Sequence, residues 1–196
     1  MVMAERARGG AERADEDVVQ LLKRQHQEIR DLFAEVEAAS GQGRREAFGR
    51  LVRLLAVHET AEEEVVHPAA RRAFPSGDKV VDDRLREERE AKEVLSELDG
   101  MDTDDPDFMP TLMALRDDIL AHADSEERLE FERLRESTEP HKLVRMAKAV
   151  RAAEAMAPTH PHPGTESAAR SILLGPFAAV MDRTRDAVRK AMGHDK

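Results

Sequence analysis

The residues best able to do chemistry lie in one stretch, His58 to Pro68, which reads HETAEEEVVHP. It holds two histidines and four glutamates. His58 and Glu62 are four residues apart, which on a helix stacks both side chains on one face. Leu51, Leu55, Val65 and Ala69 continue the 4-3-4-3-4 spacing through this pair. The two polar residues therefore fall in the stripe that faces a core. Burying a carboxylate alone costs roughly several kcal/mol, and a metal ion is one way to offset that. One inward His-Glu pair is more often a hydrogen-bonded pair than a metal site, so the remaining elements decide.

Those elements are helical. The chain has 196 residues, 37% of them charged and only 3% aromatic, without Trp or Tyr. Richness in Ala, Glu, Arg and Leu with few β-branched runs predicts an all-α domain. The net charge of −10 argues against nucleic acid or an anionic membrane as partner. No cysteine is present, which excludes disulfides, thiolate ligands and thiol catalysis. Any metal must be held by His, Asp and Glu. No apolar run reaches membrane-spanning length, and the start of the chain lacks a signal-like apolar region, so a cytoplasmic location is expected. No glycine-rich phosphate loop or Ser-His-Asp set supports a kinase or hydrolase.

Residues 1–14 are polar and expected to be disordered. Asp15 or Asp17 can cap a first helix reaching Ala39, with the stripe Val19, Leu22, His26, Ile29, Phe33, Val36. Ser40-Gly41-Gln42-Gly43 breaks it. A second helix, Arg44 to Ala73, should be irregular at Pro68. A third, Asp78 to Asp99, carries Val81, Leu85, Glu88, Ala91, Leu95 and Leu98. Asp105-Pro106 opens a fourth, to Glu136, with Leu112, Leu115, Ile119, His122, Glu126 and Leu129. Four helices with short connections predict an antiparallel up-down-up-down bundle over residues 15–137. Extra C-terminal helices fill 138–196: Pro140 to Met156, a Pro-rich loop at 157–164, then Ser167 to Met192, broken at Gly175-Pro176. Ile172, Leu173, Phe177, Val180 and Met181 give that last helix an apolar side.

An internal repeat ties the elements together. QHQEIRDLFAEVE (25–37) matches EEREAKEVLSELD (87–99) by residue type at an offset of 62, setting His26 against Glu88. HETAEEEVV matches HADSEERLE at an offset of 64. Each hairpin offers one ligand candidate followed by H-x-x-x-E: His26, His58 and Glu62, then Glu88, His122 and Glu126. His26 lies 15 residues before Gly41 and His58 17 after it, levels that differ by only about 3 Å. Three imidazoles and three carboxylates at one level suit non-haem iron or manganese, and two carboxylates can bridge two ions.

These residues resemble the hemerythrin-like, HHE cation-binding family over residues 17–136. The resemblance rests on H-x-x-I-R-x-L-F at 26–33, H-x-x-x-E-E at 58–63 followed by Pro68, and H-x-x-x-E-E at 122–127. It implies a four-helix bundle around a non-haem di-iron centre with bridging carboxylates. His26, His58, Glu62, His122 and Glu126 match family ligand positions. Relatives bind or sense oxygen, react with peroxide or nitric oxide, or handle iron. Where this chain has Glu88 the family usually has histidine, which argues against an oxygen carrier and for redox chemistry with oxygen or peroxide. The alternatives are a non-catalytic iron or oxygen sensor and a metal-free helical scaffold. Ferritin-like proteins, which use Glu-x-x-His, fit the spacing less well.

Among the other candidates, His67 falls nine residues after His58, half a turn round an ideal helix, and is expected to point away. Only a distortion at Pro68 would make it an extra ligand. Glu59 and Glu63 are expected to be solvated or to orient a histidine ring, Glu87 to have little effect on the site, and Arg89 to be at the surface. His160 and His162 read as part of a loop, and His141 and His194 carry no signal.

Overall fold

The computed structural model describes residues 16–157, 159 and 176–193. Among these residues it is helical throughout, without a strand. Helix α1 spans Val18–Ala38. It starts at a reciprocal cap: Asp17 accepts from the Gln20 backbone N–H at 2.8 Å, and Gln20 Oε1 accepts from the Asp17 N–H at 3.1 Å. Gly41 then takes φ +52°, a left-handed conformation open to glycine, and lets the chain reverse. Helix α2 starts there, three residues earlier than the sequence pattern placed it. It runs as α-helix over Gly41–Ala61, widens into a π-turn over Glu62–Val66, and resumes over His67–Ala73. Helix α3 spans Gly77–Asp99. Helix α4 covers Phe108–Ser125, a π-turn at Glu126–Phe131 and Glu132–Ser137. Helices α5, Pro140–Met156, and α6, Pro176–Ala191, complete the order.

Pro68 lies just after the first π-turn. It lacks the N–H for a regular helical bond, and its ring crowds the preceding turn. The wider turn relieves that crowding, with the His67 N–H reaching back to the Glu62 carbonyl. Helix α4 widens at the matching place without a proline, so proline is not the general cause. Both π-turns share an inward glutamate, Glu62 or Glu126, as first residue.

Helices α1 to α4 form the antiparallel bundle. Its apolar core is split in two. Toward the α1–α2 turn, Ile29, Phe33, Val36, Phe48, Leu51, Leu95, Phe108 and Leu112 pack together. At the other end, Val18, Leu22, Val65, Val66, Phe131 and Leu134 pack with Leu143, Met146 and Val150 of α5. Helix α5 lies across α1 and α2, and α6 lies on α5. The expected loop at 157–164 and residues 167–175 fall almost wholly outside the described residues, as do 1–14, His160, His162 and His194. The side chains of Phe177, Val180 and Met181 are likewise not described. No helix among the described residues is long and apolar enough to cross a membrane.

The α2–α3 turn is the tightest approach. A Cβ on Gly77 would sit 2.4 Å from the Ala70 carbonyl oxygen and 2.8 Å from that of Arg71. Both are backbone atoms, which cannot swing aside. Gly77→Ala should therefore cost roughly 1–3 kcal/mol, lowering the melting temperature by roughly 3–10 °C. Gly49, in the exposed middle of α2, meets nothing within 4 Å. Gly49→Ala should raise stability by about 0.5–1 kcal/mol. Calorimetry on the two variants checks both signs.

Candidate metal centre

Between the two apolar clusters lies a polar layer. His26, from the α1 stripe, sits between Leu22 and Ile29. His58 and Glu62 come from α2, Glu88 from α3, and His122 and Glu126 from α4. The structure brings all six together. His58 Nε2 is 3.4 Å from Glu62 Oε2, His26 Nε2 is 3.4 Å from Glu126 Oε2, and His122 Nε2 is 3.3 Å from Glu126 Oε1. The His26 and His58 rings meet edge to face at 5.0 Å, and His26 stacks on Phe131 at 5.6 Å.

The outward ring nitrogens are held by acceptors. Nδ1 of His26 meets Glu127 at 3.0 Å, that of His58 meets Gln25 Oε1 at 3.0 Å, and that of His122 meets Glu87 at 2.9 Å. Each contact suits an Nδ1–H donating outward, which leaves Nε2 free on the inner side. All three acceptors are themselves held, Glu127 by Arg30 at 3.7 Å. Gln25 Nε2 donates to Glu154 of α5, and Glu87 pairs with the buried Arg84 at 2.9 Å. Glu87 therefore touches a site residue, contrary to the expectation that it would have little effect.

Further corrections come from the π-turns. His67 is not turned away: it is 1% exposed, with Nε2 at 2.6 Å from Glu88 and Nδ1 at 3.0 Å from Glu130. The extra residue in a π-turn sets back the residues beyond it by about 100°, moving His67 from about 180° to about 80° from His58. In α4 the same shift turns Leu129, expected in the core stripe, outward to 44% exposure, and turns Glu130 inward to 0%. Glu130 was missed because it is in register only after the π-turn. Glu59 is buried and Glu63 half-buried, and both turn to a lysine rather than to a histidine ring. Both flank the buried Lys92 ammonium, Glu59 at 3.7 Å and Glu63 in a short contact. Arg89 is exposed, as expected, and so is His141.

Burial and neighbouring charges set the protonation states. Burial drives the His58 imidazole down to about 3, so it is neutral near pH 7, as a ligand must be. Burial raises Glu62, and the adjoining Glu126 carboxylate raises it further. For His122, burial is outweighed by Glu126, which lifts the ring well above its ordinary value. For His67, burial is outweighed by Glu88 and Glu130, with the same result. Burial carries Glu59 up to about 8 and Glu63 to about 7 against the pull of Lys92. One ammonium between two buried carboxyls balances only one negative charge.

The donor set fits a cation. Both oxygens of Glu62 and of Glu126, Oε2 of Glu88 and Glu130, and Nε2 of His26 and His122 are buried without a hydrogen-bond partner. Such atoms are costly unless something meets them. Among the described residues they fall into three overlapping sets: His26, His58 and Glu62; Glu62, Glu88, His122 and Glu126; and His67, Glu126 and Glu130. Within each set, one donor atom per residue lies within 4.8 Å of all the others. Glu62 and Glu126 each belong to two sets. Imidazole with carboxylate suits iron or manganese. A cavity of about 330 Å³ reaches this layer between α3 and α4, walled by Ala91, Val94, Leu115 and Ile119.

The class of arrangement is a four-helix bundle with a His/Glu cluster able to hold a cation across its middle. Residues 17–134 match the hemerythrin HHE cation binding domain, and the chain belongs to that family. A solved hemerythrin HHE cation binding domain-containing protein from Mycobacterium kansasii shares the fold, with a TM-score of 0.64 at 20% identity over 86% of this chain and 99% of that one. A Nostoc protein described as a DNA nickase is 25% identical over 146 residues, 74% of this chain. The match spans only 41% of that relative's length.

Substitutions at the outer contacts have expected effects on stability and on metal affinity. Lys92→Met should destabilise the fold by roughly 3–5 kcal/mol at pH 8, where it strands buried carboxylates. The folded carboxyls titrate above their unfolded value of 4.5, so their contribution is complete below that value and is lost as pH rises through about 7–8. The mutational loss should therefore shrink markedly at pH 5, in urea titrations at the two pH values. At the α5 side, Gln25→Ala should weaken metal binding by roughly 10–100-fold, because His58 loses the acceptor that fixes its ring. Glu154→Ala should act in the same direction but less strongly. Competition with a chelator of known affinity measures both.

Proposed function

We propose that the chain holds a pair of iron ions and uses them on a small oxidant, such as oxygen, peroxide or nitric oxide, in peroxide removal or iron and redox homeostasis. The observation that carries this is the cavity: a buried, carboxylate-rich donor layer is reached by a passage of mixed lining, with Ala91, Val94, Leu115 and Ile119 beside Glu87, Glu90 and Asp118. Bound iron would supply electrons to, or accept them from, a molecule entering there. His26, His58, Glu62, Glu88, His122 and Glu126 would hold the ions, and manganese fits the same donors. The protein's part is to hold each ring by its outward nitrogen, to keep the layer otherwise dry, and to admit small molecules along the α3–α4 side. The carboxylate at position 88 adds negative charge, which favours the ferric state and turnover over reversible oxygen carriage.

A second reading is a non-catalytic sensor of iron or oxygen. The Gln25–Glu154 contact favours it, since it links a site histidine to α5, beyond the family-matched residues. A nucleic-acid role, which the Nostoc relative's name suggests for that protein, gains no support from a net charge of −10.

Anaerobic reconstitution with ferrous iron, then elemental analysis and optical spectra on adding oxygen or peroxide, tests the proposal. About two ions per chain and an oxidant-dependent spectral change are expected. Absence of bound iron would sink the metal reading. Bound iron with no reaction toward any of the three oxidants would leave the sensor as the better account.

A further inference from the structure

We infer that His67 is a fourth imidazole ligand of the centre, with Glu130 as the acceptor that orients it. The inference rests on the proposed metal centre. Its warrant is that the four histidines of the layer hold Nδ1 alike and turn Nε2 to a carboxylate. Each has Nδ1 against a side-chain oxygen at 2.9–3.0 Å: Glu127, Gln25, Glu130 and Glu87 for His26, His58, His67 and His122. Each has Nε2 facing a carboxylate of the inner layer, and for His67 this is Glu88 at 2.6 Å. An outward Nδ1–H fixes the tautomer whose Nε2 lone pair points inward, as a ligand requires.

The surroundings of His67 contain unmet donors. Glu88 Oε2 and Glu130 Oε2 are buried without hydrogen-bond partners, as are both oxygens of Glu126. His67, Glu126 and Glu130 each offer an atom within 4.8 Å of the other two. An imidazolium clamped between Glu88 and Glu130 is the competing account of the same contacts. It would satisfy one oxygen of each carboxylate and leave these other oxygens unmet. A cation in this layer meets them as well. The π-turn over Glu62–Val66 gains a role on this account, since it rotates His67 toward the layer.

Counting imidazoles separates the two accounts. Protein labelled with ¹⁵N-histidine and loaded with cobalt(II), a paramagnetic probe for the same donors, should give four hyperfine-shifted ring N–H signals. His67→Gln should remove one and leave three, and Glu130→Gln should displace that same signal while lowering metal affinity about 10–100-fold. The wild-type count decides even if a variant fails to fold. Two ions per chain with only three shifted rings, and His67 in the diamagnetic range, would overturn the inference while leaving the metal reading intact. No bound ion and no shifted signal would instead overturn the metal reading.

Discussion

The fold turns on a single constraint: a layer of ionisable side chains crosses the middle of a bundle that is otherwise apolar. Apolar packing alone would run unbroken from Val36 to Val18, yet it is interrupted at His26, and every bundle helix contributes to the break. Leaving several carboxylates there uncompensated would cost more than a domain of this size can bear. The layer therefore specifies its own remedy. Opposite charges must sit within it, and its donors must converge closely enough for cations to bridge them. The raised His67 and His122, the lowered Glu126 and the raised Glu62 show the protein balancing the layer internally as far as protons allow. The oxygens still unmet mark what protons cannot do.

Much of this was legible in the sequence. A 3-4-3-4 stripe is a strong signal when a helix is regular, and α1 is regular over its full length, so every residue of its stripe is buried. The repeat then placed Glu88 opposite His26 without any knowledge of packing. The misplaced residues trace to one assumption, that each residue advances 100°. The π-turns break it at Glu62 and Glu126, after which facing shifts: His67 goes in, Leu129 goes out and Glu130 replaces it, while Val65, just inside the first turn, stays buried as its stripe predicts. Pro68 hinted at the first irregularity, but no residue type announces the second.

The buried cations Arg84 and Lys92 escaped for a different reason. Hydropathy assigns them to the surface, and only the carboxylates of neighbouring turns and helices make burial tolerable. Lys92 answers Glu59 and Glu63 across the α2–α3 contact, and Arg84 answers Glu87 on its own helix. Charge complementarity between helices has no periodicity to detect. It becomes visible only once the helices are placed.

The two hairpins repeat in sequence but diverge in their surroundings, and that divergence gives the centre a direction. On the first hairpin, His58 leads through Gln25 to Glu154, so α5 clamps that half from outside the family-matched region. On the second, His122 and Glu87 line the cavity, and Glu87 leads on to Arg84 of its own helix. The His122 side chain is 14% exposed, against 1% for His26 and 5% for His58. Under the proposed function, a molecule entering between α3 and α4 would meet the more exposed His122, while His58 is backed by α5 through Gln25. A repeated donor pattern thus has unlike surroundings, with the cavity beside one half and α5 against the other. Helix α5 matters to the site because its Glu154 holds the Gln25 amide against the His58 ring.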